Sequence, residues 1–140
     1  MPLTSILLDI DHFKTLNDSR GHLAGDEALR GIAATLRESL RASDIACRWG
    51  GEEFLIILTN THLSAAIQVA CTLRDRIENN RYEFNGQQIS VTVSAGVAVY
   101  RKDESPESFV ARTDALLYQA KNEGRNRVCS ELEDGDVLNA

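Results

Sequence analysis

What this sequence is short of narrows its class before any motif is read. Its longest unbroken apolar run is residues 54–58, far below the ~20 residues of a bilayer-crossing helix, so no direct membrane contact is expected. No charged-then-apolar leader opens it, and no signal peptide is expected. Cysteine is scarce and odd in number. Cys47, Cys71 and Cys129 stand far apart without a Cys-x-x-Cys pair, and read as reduced, buried thiols of a cytoplasmic protein. A parent protein anchored in a membrane elsewhere is compatible with that reading. His12, His22 and His62 share no zinc spacing with them. Basic charge is also short, 15 Lys and Arg against 21 Asp and Glu for a net charge of −6, which argues against a nucleic-acid groove. An anionic ligand would therefore need local cations or a metal. Neither Gly-x-x-x-x-Gly-Lys-[Ser/Thr] nor Gly-x-Gly-x-x-Gly occurs, which excludes a P-loop or Rossmann phosphate site. No linker or repeat divides the chain. It reads as one domain, residues 1–130, followed by an acidic tail, residues 131–140.

What is present is organised around Arg48-Trp49-Gly50-Gly51-Glu52-Glu53-Phe54. Two apolar runs joined by Gly-Gly predict a β-hairpin, glycine supplying the positive φ of a tight turn. Strand alternation would then turn Glu52 and Glu53 to opposite faces. A turn needs glycine, but it does not need two carboxylates at the mouth of an oily strand.

Residues 4–10 predict a central strand ending in acid, and residues 11–18 a short helix. Gly21 and Gly25 break the chain, and Asp26 suits the N-cap of a helix running to about Arg41. A second long helix is predicted over residues 63–79. Asn85-Gly86 predicts another hairpin turn leading into a long strand, with Ile89, Val91, Val93, Ala95, Val97 and Val99 on one face. Ser94, Gly96 and Ala98, on its other face, are small, as if something packs close. Ser105-Pro106 reads as a cap with proline at the first helical position, Gly124 ends that helix, and a last strand lies near residues 127–129. The order fits an α/β (α+β) ferredoxin-like or palm sandwich, with helices on one face of a mostly antiparallel sheet.

Asp9 and Glu52 fall at adjoining strand ends. Two carboxylates meeting there repel unless a cation lies between them, for which Mg²⁺ is the natural candidate; both are equally readable as solvated strand ends. Asn17, His22 and Asp26 surround the glycine-broken segment. They fit a cap and a helix end, or a base pocket in which the Asp26 carboxylate accepts guanine's adjacent N–H donors. Lys121 and Arg125 would balance a helix dipole or, with Lys14, hold a triphosphate. Arg41 and Asp44 fit a helix end and a turn, or a guanidinium clamp for guanine and phosphate.

Together these segments resemble the GGDEF family, the diguanylate cyclases of bacteria. The resemblance runs from Leu7-Leu8-Asp9-Ile10-Asp11-His12-Phe13-Lys14 through Asn17-Asp18, Gly21-His22, Gly25-Asp26 and the Gly-Gly-Glu-Glu-Phe hairpin. It continues through Val93-Ser94-Ala95-Gly96-Val97-Ala98 to Tyr118-Gln119-Ala120-Lys121-Asn122-Glu123-Gly124-Arg125-Asn126. It implies condensation of two GTP into cyclic di-GMP across a homodimer, with Mg²⁺ (Mn²⁺ as the alternative) held by Asp9, the Ile10 carbonyl, Glu52 and Glu53. It further implies Glu52 as base for the 3′-hydroxyl, with Lys14 also in the catalytic step. Asn17, Asp26 and His22 become guanine and ribose contacts. Lys14, Lys121 and Arg125 become phosphate cations, with Phe13 and Lys14 lending backbone N–H groups. Arg41 and Asp44 become an inhibitory cyclic di-GMP site. Family domains begin with a further helix; here Met1-Pro2 leads straight to the first strand, so an upstream regulatory domain outside this chain is expected, and slow turnover of the isolated piece. The rival readings are a non-catalytic GTP- or cyclic di-GMP-binding module, a cyclase forming a mononucleotide ring, and a signalling scaffold.

Overall fold

The computed structural model describes residues 1–131 and 137–139. Along the chain they form β1 (Leu3–Ile10), α1 (Phe13–Arg20), α2 (His22–Ser39), β2 (Ile45–Arg48), β3 (Glu53–Thr59) and α3 (Leu63–Asn79). Then come β4 (Tyr82–Phe84), β5 (Gln87–Ile89), β6 (Val93–Val99), α4 (Pro106–Asn122), β7 (Val128–Glu131) and β8 (Val137–Asn139). The main sheet is ordered β2-β3-β1-β6-β7-β8, and β4-β5 form a separate hairpin. Every described pairing is antiparallel except β6 with β7, where α4 makes the crossover that parallel neighbours require.

Alternation along β1 explains the layers. Ile6, Leu8 and Ile10 enter the main core with Ile32 and Leu36 of α2 and Leu73 and Ile77 of α3. Leu7 points the other way, against Leu55 and Leu117 of α4. Helices thus cover both faces of the sheet, not one. The continuous run Ile6-Leu7-Leu8 carries that information, because a strand buried on both sides has no polar face. Gly96 is what lets α4 lie flat: a Cβ there would stand 2.4 Å from both the Thr113 carbonyl oxygen and the Leu117 nitrogen. The Ser5 and Thr113 hydroxyls, 2.5 Å apart, bond across the same contact. This close packing delivers the C-terminal end of α4 to the end of β1.

Several local expectations hold. Residues 63–79 are helical as predicted, Ser105 Oγ accepts the Ser108 amide at 3.1 Å with Pro106 opening α4, and Asn85 and Gly86 both take positive φ in the β4–β5 turn. Others need correction. Gly21, at φ 91°, is the break and caps α2, so Asp26 lies inside that helix and is no N-cap. Gly25 breaks nothing; it is a buried contact of α2. The long strand is two pieces: Ile89 ends the separate hairpin, the chain crosses over at residues 90–92, and β6 starts at Val93. The three cysteines form no disulfide, and only Cys129 is buried; Cys47 is exposed because β2 is an edge strand with little cover. Of the expected acidic tail, Glu133, Asp134 and Asp136 lie outside the described residues, while 137–139 pair with β7. No helix among the described residues is long and apolar enough to cross a membrane.

Candidate active site

β1 ends on Asp9, 3% exposed, directly opposite Glu53 of β3 and Ser94 of β6. Lys121, near the end of α4, places Nζ 2.6 Å from Asp9 Oδ2. The other oxygen, Asp9 Oδ1, is buried with no hydrogen-bond partner, a costly state for a carboxylate. Two more carboxyls share this corner. Glu52 has its pKa raised, first by burial and then by the Asp9 charge, with Lys121 pulling the other way. Glu53 is raised by burial and then by Asp9, again against Lys121.

Both glutamates therefore face the same aspartate, contrary to the expected opposite faces. β3 begins only at Glu53, so Glu52 belongs to the turn and strand alternation does not reach it. The turn is also wider than the two-residue kind: Trp49 N–H donates to Glu53 O at 2.7 Å. Neither Gly50 nor Gly51 takes positive φ. At Gly51 a Cβ would meet nothing within 4 Å, so the tip is open above Glu52. Arg48 holds the loop from behind, donating to the Gly50 and Gly51 carbonyls at 3.3 and 2.5 Å. The Ile10 amide donates to the Glu52 carbonyl at 3.1 Å, which fixes the turn to the end of β1.

Immediately past β1, His12 adopts a left-handed conformation (φ 56°) and opens α1 without a side-chain cap. The first amides of α1, those of Phe13 and Lys14, are thereby left for an anion beside the acidic corner. Lys14 is exposed and makes no ion pair among the described residues. Asn17, on the same helix, lies across α2 at Gly25, where a Cβ would come within 1.9 Å of Asn17 Oδ1. That oxygen is buried and unpartnered. Asp26, the next residue of α2, is exposed, and so is His22 at the helix start. Arg125 follows Gly124 in a turn of positive φ, its side chain exposed and in no ion pair among the described residues.

Arg41 and Asp44 stand apart from this group. They pair with each other at 3.0 Å, and Arg41 Nη2 also donates to Thr59 O and Thr61 Oγ1. In register, Thr59 faces Leu3 whereas Glu53 faces Asp9, so the two places are separated by roughly 20 Å along the strands. Asp26 and the Arg41–Asp44 pair line one groove of about 990 Å³ between α2 and β2.

Nothing in the sequence marks out Asp11 or the link between α3 and the α4–β7 turn. Asp11, 6% exposed, accepts from Thr92 Oγ1, Ser94 Oγ and the Asn126 amide. Asn126 also binds Arg74 and Glu78 of α3. The only sequence signal is an acid in a strand end already occupied by one.

Chemically, an orphaned carboxylate oxygen beside two carboxyls held above their ordinary range suits a hard divalent cation. Among the described residues no three or more His, Cys, Asp or Glu side chains close into a metal cage. An open edge of carboxylates is what a cation shared with a phosphate ligand requires.

Residues 1–127 match the family described as "Diguanylate cyclase, GGDEF domain". The chain belongs to the GGDEF domain family. Diguanylate cyclase A of Treponema denticola is 45% identical over 127 residues, 90% of this chain and 34% of that protein. The chain thus spans about a third of that relative. Among solved structures, diguanylate cyclase SiaD of Pseudomonas aeruginosa, in complex with its activator SiaC, aligns with a TM-score of 0.89 at 38% identity, covering 92% of this chain and 50% of that one. The GGDEF domain of DgcB from Caulobacter crescentus, in complex with c-di-GMP, aligns at 0.88 and 33%, covering 92% and 77%. Against this GGDEF frame the acidic corner, the open hairpin tip and the α1–α2 contact all fall within the matched residues.

Proposed function

We propose that this chain is the catalytic domain of a cytoplasmic diguanylate cyclase, condensing two GTP into cyclic di-GMP with release of pyrophosphate. The observation that carries the reading is Asp9, buried with one oxygen unpartnered while Glu52 and Glu53 crowd it. Asp9, Glu52, Glu53 and the Ile10 carbonyl would hold a divalent cation, Mg²⁺ with Mn²⁺ as the alternative. That ion, when bound, supplies neutralisation of the triphosphate and of the departing pyrophosphate. Lys14, Lys121 and Arg125 offset the remaining phosphate charge, and the Phe13 and Lys14 amides donate to it. Asn17 and Asp26, with His22 beside them, accept the guanine N–H donors and orient the base.

Glu52 takes the proton of the 3′-hydroxyl, and its raised pKa moves it toward the range in which a carboxylate is an effective base near neutrality. The freed oxygen forms a bond to the α-phosphorus of a second GTP as the bond to pyrophosphate breaks, and one repetition in the opposite sense closes the ring. Each domain holds one GTP, so the working form is a homodimer, brought together by regulatory segments of a longer parent. Arg41 and Asp44 form the product-inhibition site: the pair is intact and Arg41 remains more than half exposed.

Incubation of the chain with GTP and Mg²⁺, followed by chromatographic resolution of products, is expected to yield cyclic di-GMP. Cyclic GMP alone would refute the reading, and unchanged GTP would leave the non-catalytic module in its place. Arg41→Ala is expected to abolish inhibition by added cyclic di-GMP; unchanged inhibition would sink that assignment.

A further inference from the structure

The α4–β7 turn is an unfavourable piece of backbone. Gly124, Arg125 and Asn126 take φ of 122°, 64° and 47° in succession, and L side chains resist that region. Two sets of contacts hold it. On one side the Arg125 amide donates to the Ala120 carbonyl at 3.0 Å, closing α4. On the other the Asn126 amide donates to Asp11 Oδ2 at 3.0 Å, while its side chain is gripped between Arg74 (3.0 Å) and Glu78 (2.6 Å) of α3. Asp11 is itself immobilised by Thr92 and Ser94, each at 2.7 Å. Arg125 thus sits between two fixed amides, and its side chain is exposed and in no ion pair among the described residues. A long side chain cannot aim more accurately than the backbone that carries it.

We propose that Asp11 is a positioning residue for Arg125: by accepting the Asn126 amide it holds the left-handed turn that points the Arg125 guanidinium at the phosphates of a bound nucleoside triphosphate. The proposal rests on the nucleotide reading above and adds a role for a carboxylate that takes no part in the chemistry. Asp11 lies two residues beyond Asp9 on the same chain segment. It therefore fixes the phosphate cation relative to the acidic corner. Asn in its place keeps the shape but offers one acceptor oxygen where two serve three donors.

The test compares a non-hydrolysable GTP analogue, at fixed Mg²⁺, with GMP, by calorimetry on the whole chain. Asp11→Asn is expected to weaken the analogue about tenfold and leave GMP unchanged, because the guanine contacts on α1 and α2 are untouched. Arg125→Ala should show the same split. The double variant should lose no more than either single one, since residues acting through one another are not additive. Equal losses for GMP and the analogue, or additive losses in the double variant, overturn the proposal; the latter would mean Asp11 acts on the cation corner instead. Normal analogue binding by Asp11→Asn also overturns it, with the nucleotide reading intact. Wild-type chain that binds neither nucleotide overturns the nucleotide reading and the aim of Arg125 with it. If Asp11→Asn does not fold, Ser94→Ala, which removes one of the two hydroxyls that immobilise the carboxylate accepting the Asn126 amide, must show the same split at about threefold; no split there refutes the proposal.

Discussion

Two charged clusters sit at opposite edges of the α4 contact, and they are built on opposite terms. At one, Arg112 donates to Glu104, Glu131 and the Val99 carbonyl, with side-chain exposures of 18%, 7% and 12% for the three charged residues. Its carboxylates have their donors, and Arg112 holds Glu104 down to a pKa of about 2. At the other, three carboxyls converge on one ammonium, Lys121, and Glu52 and Glu53 are pushed up instead. The first arrangement fastens the start of α4 to the sheet. The second leaves negative charge in excess of its one cation, the kind of local instability that folds keep at working sites.

The comparison breaks most visibly at Glu52. Glu52→Gln removes like-charge repulsion, so it is expected to raise the melting temperature of the cation-free chain while lowering turnover by about 10³-fold; a variant that loses both would refute the contrast. Arg112→Met is the converse. It is expected to cost about 3 kcal/mol in urea unfolding by leaving Glu104 buried without its cation and Glu131 with Arg101 alone, and to leave affinity for a GTP analogue within twofold. Gly96→Ala strikes between the two clusters, driving a Cβ into the α4 backbone. It should cost about 2 kcal/mol and, by lifting Lys121 from Asp9, reduce activity as well.

The smallest effect lies in the pH dependence, where the two clusters pull in opposite senses. Glu104, lowered when folded, stabilises above its unfolded value near 4.5 and loses that contribution as pH falls toward about 2. Glu52 and Glu53, raised when folded, stabilise below 4.5 and lose that contribution as pH climbs through their folded values. Melting curves across this range should therefore show wild type losing ground to Glu52→Gln as pH rises above 4.5, and the gap should close in acid.

The sequence read well wherever a signal was local. The stripe over α3, the Ser105-Pro106 start of α4 and the small face of β6 each follow from spacing and residue chemistry, and Asp9 beside the glutamates followed from neighbouring strand ends. Failures came where partners lie far off in the chain. Asp11 looked like a second acid at a strand end, because its donors lie 81 to 115 residues away. Gly25 looked like a breaker because the side chain it makes room for, Asn17, sits on another helix. Glu52 was misdirected by treating the hairpin as a two-residue turn, when the strand starts one residue later.

α1 buries none of its residues fully, yet Phe13, Lys14 and Asn17, groups proposed for opposite ends of one nucleotide, all ride on it. This helix of 8 residues is seated on the core only through the partly buried Phe13 and Leu16, so those groups share one footing. On the proposed reading, any shift of α1 would loosen base and phosphates together.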